Sequence, residues 1–295
     1  MCKPYQLSCE STVDLPYAYV SEKNISVLFY TYSVDGVVYE DDMGRDESAR
    51  AMFYQFIKDG KKPTTSQINT YRYVEYFRSL LEKGDVLHIA FGSGMTPSVN
   101  NAMEAAKIVG EEYPDRRLVI IDSLCSSSGY GLLVDIAAEL KENGEDMEAV
   151  EKWLLNIRGR VHHNFFVTDL TMLRRGGRVS GPTAAIATVL GICPTLRLND
   201  TGHIIAHGKV RGKKNAISAT VQSMIEHQRG DLSYSGKCYI SHANALEDAM
   251  ATKSAIEAVF PNLVGKVKIF DIGSIIASHC GPGTVALFYI GDERV

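Results

Sequence analysis

The chain has 295 residues, with 31 basic and 35 acidic side chains for a net charge of −4, and 45% of its residues are apolar. That length suits about two domains, each large enough to bury its own core. The slightly acidic balance excludes a protein whose main task is gripping a phosphate backbone, so no nucleic-acid partner is expected, and the apolar content excludes disorder, collagen and coiled coil.

The six cysteines (Cys2, Cys9, Cys125, Cys193, Cys238 and Cys280) are scattered singly, without a C-x-x-C pair. They read as reduced thiols of a cytoplasmic protein. Met1–Leu7 has no apolar signal core, and the longest largely apolar stretch, Thr183–Cys193, is far shorter than the ~20 residues of a membrane span.

Short apolar runs alternate with longer amphipathic stretches, the pattern of βαβ units. Strands are expected at Tyr5–Cys9 and over one continuous run, Ile25–Tyr32. Helices follow from near Asp46 and from Asn69 or Thr70, the second opened by a polar cap. Strand 85–91, helix 98–112 and strand 117–121 form a crossover unit, and helix 131–142 closes the first half. Beyond Gly144 come helix 147–158, strand 163–168 and a bend rich in glycine and arginine at Arg174–Arg178. The turn Asn199-Asp200-Thr201-Gly202 joins a hairpin of 194–198 with 204–210. Helix 215–228, strand 239–241, helix 246–260 and strands near 267–272 and 284–290 complete the chain. The expected fold is α/β: a domain over 1–158 with a Rossmann-like, mostly parallel sheet, and a smaller α/β domain over 159–295 docked on it. The last strands could pack with either domain.

Hydroxyl-bearing residues gather after expected strands or before helices, at Ser11-Thr12, Thr64-Thr65-Ser66-Gln67, Ser93-Gly94-Met95-Thr96 and Ser123 with Ser126–Ser128. The carboxyl edge of a parallel sheet is a ligand crevice, and helix N-termini there favour an anion. Taken singly, each cluster also fits a cap or a turn. Arg174, Arg175 and Arg178 surround a bend and could grip a carboxylate or phosphate, or simply face water. His279 lies in His279-Cys280-Gly281-Pro282-Gly283, which reads as a rigid loop, and Lys209–Lys214 forms a compact basic patch around Arg211. There is no nucleotide-phosphate loop, no dinucleotide fingerprint and no G-x-S-x-G elbow. His162-His163 is a poor metal pair, because neighbours on a strand face opposite ways. No metal and no cofactor are expected.

At these residues the chain resembles the DegV family, the fatty-acid-binding (FakB-type) subunits of bacterial fatty acid kinase. Ser11-Thr12-Val13-Asp14-Leu15-Pro16, Thr65-Ser66-Gln67, Ile121-Asp122-Ser123, Leu173–Val179 and His279–Gly283 are similar to five family motifs, in the family's order. Two departures stand out: Glu10 replaces the family's usual Asp, and Thr96-Pro97-Ser98 replaces its Ser-Gly-Thr. The resemblance implies a long-chain fatty acid in a deep tunnel at the first domain, with the second domain completing the head-group site, and a separate ATP-dependent kinase that forms acyl phosphate for phospholipid synthesis. It implies that Thr65 and Ser93 bind the carboxylate, with Ser66 and Gly94 beside them. His279 and Arg174 or Arg175 lie near the head group, and Arg211 belongs to a segment used for membrane or partner docking. The protein is then a monomeric lipid-binding subunit and not an enzyme. The alternatives are a serine hydrolase or acyltransferase using Ser93 and His279, and a carrier of another apolar carboxylate.

Overall fold

The computed structural model describes residues 3–179 and 191–295. Cys2, and all but the last three residues of Thr183–Cys193, lie outside the described residues. The first half runs β1 (Tyr5–Glu10), α1 (Tyr17–Glu22), β2 (Ile25–Leu28), β3 (Thr31–Val34), β4 (Val37–Glu40), α2 (Glu47–Lys58), β5 (Thr64–Ser66), α3 (Thr70–Leu81), β6 (Asp85–Ala90), α4 (Ser98–Glu112), β7 (Leu118–Asp122), α5 (Ser127–Glu142) and α6 (Met147–Ile157). The second runs β8 (Val161–Phe166), α7 (Thr171–Arg175), β9 (Ile192–Leu198), β10 (Ile204–Arg211), α8 (Lys213–His227), β11 (Cys238–His242), α9 (Leu246–Val259), β12 (Lys268–Asp271), α10 (Ser274–Cys280) and β13 (Val285–Ile290).

The parallel four-stranded sheet has the order β2-β1-β6-β7. The helices start where expected, and both carry caps: Asp46 accepts the Ser48 N–H at 2.8 Å and Asn69 accepts the Arg72 N–H at 3.0 Å. The run Ile25–Tyr32 is not one strand. Tyr30 takes its backbone out of the ladder, its N–H donating to Ser11 Oγ at 3.1 Å and its carbonyl accepting from Asp41 N–H at 3.0 Å. The chain therefore leaves β2 and starts a separate antiparallel sheet of order β4-β3-β5. Thr64–Ser66 belongs to that sheet, not to the parallel sheet's edge.

The second half carries the larger sheet, six strands in the order β10-β9-β8-β13-β11-β12, with the last strand β13 inside it between β8 and β11. Its two faces serve two cores, set by the two-residue period of a strand. On β13, Val285, Leu287 and Tyr289 pack outward under α8 and α9, while Ala286 and Phe288 join the core shared with the first half. Helix α5 begins four residues earlier than expected, at Ser127. His279 is not on a loop: it sits in the last turn of α10, which Gly281 ends with φ +76°. Arg174 and Arg175 likewise end a short helix, α7, and only Gly176–Arg178 form the bend.

Candidate functional site

The shared core is incomplete. A cavity of about 370 Å³ lies between the inner face of the six-stranded sheet, α10, β5 and the loop after β6. Its walls are apolar, with Phe91, Phe165, Leu173, Leu198, Ile275 and Phe288 among them. Ser66, Gln67 and Pro97 line it and are also exposed, so the cavity opens beside them.

At that end Thr65 Oγ1 and His279 Nε2 lie 2.8 Å apart, joining β5 to the end of α10. Burial pushes the His279 imidazole down to about 4, and the positive charges of Arg178 and Arg175 add to the effect. The ring is neutral at pH 7 and acts as a hydrogen-bonding group, not a counter-ion. Its Nδ1 is buried without a hydrogen-bond partner. Arg178 lines the cavity half-buried and donates through Nε to the Met95 carbonyl at 3.2 Å. Thr96, buried, lines it as well and shares a hydrogen bond with Ser98 Oγ at 3.0 Å. A second polar group lies in the wall at the start of α5, where Ser126, Ser127 and His163 are tied to protein partners.

The structure brings Thr65, Ser66 and His279 together at the opening. Ser93 and Gly94 do not line the cavity. Ser93 is exposed, with its N–H on Asp122 Oδ1 at 3.0 Å, and Gly94 lies against the backbone of Gly202 in the β9–β10 turn. The hydroxyl this loop directs inward is Thr96. Arg175 is exposed, Arg174 half-buried, and neither lines the cavity. Arg211 ends β10, seven residues beyond the lining residue Ile204, or roughly 24 Å along the strand. Arg178 and Thr96 stand in segments the sequence singles out, but the resemblance favoured their neighbours Arg174, Arg175 and Ser93, because pattern alone does not say which way a loop side chain turns.

Cys280 also lines the cavity, but burial pushes its thiol up to about 12, so it is no thiolate nucleophile at neutral pH. Among the described residues the other cysteines, Cys9, Cys125, Cys193 and Cys238, are buried and free. No helix among these residues is long and apolar enough to cross a membrane.

A second, acidic cavity of about 270 Å³ lies beyond Ile272 and is lined by Asp14, Asp41, Asp42 and Asp271. Burial raises Asp41 to about 7, and its Oδ2 has no hydrogen-bond partner. A carboxyl whose folded pKa lies above its unfolded value favours folding below the unfolded value. The benefit is lost as pH rises through the folded one. Stability should therefore fall between about pH 4 and pH 7, and Asp41→Asn should flatten that slope in urea unfolding series. An unchanged slope would show that Asp41 is not the group responsible.

Two α/β halves closing on an internal, largely apolar cavity, with unengaged hydrogen-bonding capacity at the opening, define the class of protein. The chain belongs to the DegV family, described as a family of uncharacterised proteins, whose profile matches residues 6–292. It is 32% identical over 293 residues to a DegV domain-containing protein of Clostridium perfringens, covering 99% of each chain. Among solved structures it is similar to a DegV family protein from Thermus thermophilus described as fatty acid binding, at 28% identity and a TM-score of 0.84, covering 99% of this chain and 100% of that one. A Thermotoga maritima protein described as a DegV lipid binding protein matches at 25% identity and a TM-score of 0.84, covering 99% of each chain.

Proposed function

We propose that this protein binds a long-chain fatty acid in the cavity between its sheets. Its carboxylate is held at the opening by Thr65, Ser66 and His279, with Arg178 nearby. The observation that carries this reading is the meeting of apolar walls with neutral hydrogen-bonding groups at the open end. An apolar tail gains roughly 0.8 kcal/mol per buried methylene, so the chain supplies most of the affinity. Neutral donors fix the carboxylate without the desolvation cost of a buried ion pair. Relatives described as fatty-acid binding support the ligand class. In this reading residues 1–158 and 159–295 act as two domains closing over the tail in a cytoplasmic monomer. The exposed carboxylate is presented to a separate ATP-dependent kinase that forms acyl phosphate. The basic segment around Arg211, remote from the opening, is left for contact with that partner or a membrane surface.

The hydrolase reading is disfavoured by geometry: Ser93 lies outside the cavity, His279 Nε2 is engaged by Thr65, and no carboxylate orients Nδ1. Mass spectrometry of an organic extract of the denatured protein should find one equivalent of non-covalent fatty acid. An empty extract, with no binding on titration, would overturn the proposal. Thr65→Val should still carry fatty acid but slow acyl-phosphate formation about tenfold or more, the worth of one hydrogen bond to a charged group. An unchanged rate would move the head group elsewhere.

A further inference from the structure

His163 of β8 lines the fatty-acid cavity, so His162 faces the other side of the sheet. There it meets His227, the last residue of α8, and Asp292, two residues beyond β13. His162 Nε2 lies 3.0 Å from Asp292 Oδ1, and His227 Nδ1 lies 3.3 Å from the same oxygen. The three atoms all fall within 4.8 Å of one another. Two ligands held about 2.0–2.1 Å from a tetrahedral zinc ion sit roughly 3.3 Å apart. Both imidazole–carboxylate spacings therefore already suit a metal. The shared oxygen, Asp292 Oδ1, is buried and accepts no hydrogen bond.

The backbone holds these groups in place. Asp292 N–H donates to the His227 carbonyl at 2.9 Å, and Gly291 N–H donates to the Arg160 carbonyl at 2.9 Å. A Cβ at Gly291 would stand 2.3 Å from the His227 carbonyl oxygen and 3.0 Å from His162 Nε2, so only glycine lets the chain run this close. Tyr289 stacks on His162 at 5.1 Å and 6°, fixing the plane of that ring. The nearby guanidinium of Arg294 donates through Nε and Nη2 to the carbonyls of Gly159, Leu124 and Arg158, while its Nη1 is buried without a partner. His162 Nε2 also lies 3.1 Å from the Asp292 backbone carbonyl, and His227 Nδ1 lies 3.3 Å from Asp292 Oδ2, so all three side chains converge on one point of the chain.

We propose that His162, His227 and Asp292 form a binding site for a divalent transition-metal ion, zinc above others, with a fourth position open to water. Two imidazoles and one carboxylate suit the borderline metals and not calcium or magnesium, which prefer oxygen. The metal would clamp α8 and the chain's last segment to β8. Through Arg294 that segment also reaches Leu124 of the first half.

The test is a Zn²⁺ titration of the chelator-treated full chain against a chromophoric chelator, with Co²⁺ absorption as a second readout. Wild type should take up one equivalent and give the intense visible bands of tetrahedral cobalt. His227→Ala and Asp292→Asn should each weaken Zn²⁺ about tenfold or more, since even outer partners of metal ligands are worth 10–100-fold. Both should still load fatty acid. Equal Zn²⁺ affinity in wild type and both variants, or no uptake by wild type, would overturn the site and leave a stacked, hydrogen-bonded cluster.

Discussion

Ala286→Trp is expected to remove fatty-acid binding while leaving the protein folded. Ala286 lies on β13 with its side chain on the cavity face, opposite Phe165 on β8 and two residues from Phe288, and all three line the cavity. An indole there fills space that the ligand tail needs. Displacing four methylenes forfeits about 3 kcal/mol, more than a hundredfold in affinity. The substitution grows into a void, so its stability cost stays at or below the ~1–3 kcal/mol of overpacking. Fatty acid in the extract should vanish, and the thermal transition should remain cooperative. Ala286→Leu should act in a graded way, shifting preference toward shorter chains. Wild-type affinity in the tryptophan variant would place the tail elsewhere.

The parts of this fold that local chemistry decides were legible in the sequence. Asp46 and Asn69 mark helix starts because a side-chain oxygen there accepts an otherwise orphaned N–H. The runs at β6 and β13 are largely apolar because they are buried, and β7, at the sheet's edge, is half-buried. What was not legible depends on partners far away in the chain. Tyr30 sits in an unbroken β-branched and aromatic run, yet its backbone is captured by Ser11 and Asp41. The polar triplet Thr64–Ser66 is a strand only because β3 supplies the other side of its ladder.

The site divides the same way. Thr65 and His279, 214 residues apart, are joined by one hydrogen bond, and family resemblance had singled out both. Ser93 and Thr96 share a loop of hydroxyl residues, and composition treats them alike. The tight turn after β6, in which Met95 N–H and Thr96 N–H both point to the Gly92 carbonyl, leaves Ser93 outside and puts Thr96 within. The pairing of His162 with His227 and Asp292 draws on three elements separated by 65 and 130 residues, so no spacing motif announces it.

Lys237→Met is expected to weaken the join between the halves by about 3 kcal/mol, the lower end of what breaking one side of a buried ion pair costs. Asp135 on α5 is fully buried and receives Lys237 Nζ at 2.6 Å together with the hydroxyls of Tyr19 and Tyr239. Lys237 also reaches Glu139 at 2.6 Å, so one ammonium group of the second half holds two carboxylates of α5. Burial alone would raise the Asp135 pKa, but the bonds from Lys237 and the two tyrosines outweigh it and hold the carboxyl below its ordinary range. A depressed carboxyl stabilises the fold above its unfolded value, and that contribution is lost as pH falls through the folded one. The loss in Lys237→Met should therefore be full at pH 7 and shrink under acid. At neutral pH a fall of about 6 °C in the thermal midpoint is expected for a chain of this size. Adding Asp135→Asn removes the stranded charge and keeps an acceptor for a tyrosine hydroxyl, so the double variant should be more stable than Lys237→Met alone. If the two losses simply add, Lys237 and Asp135 are not coupled, and the halves are held by apolar contact across α5 instead.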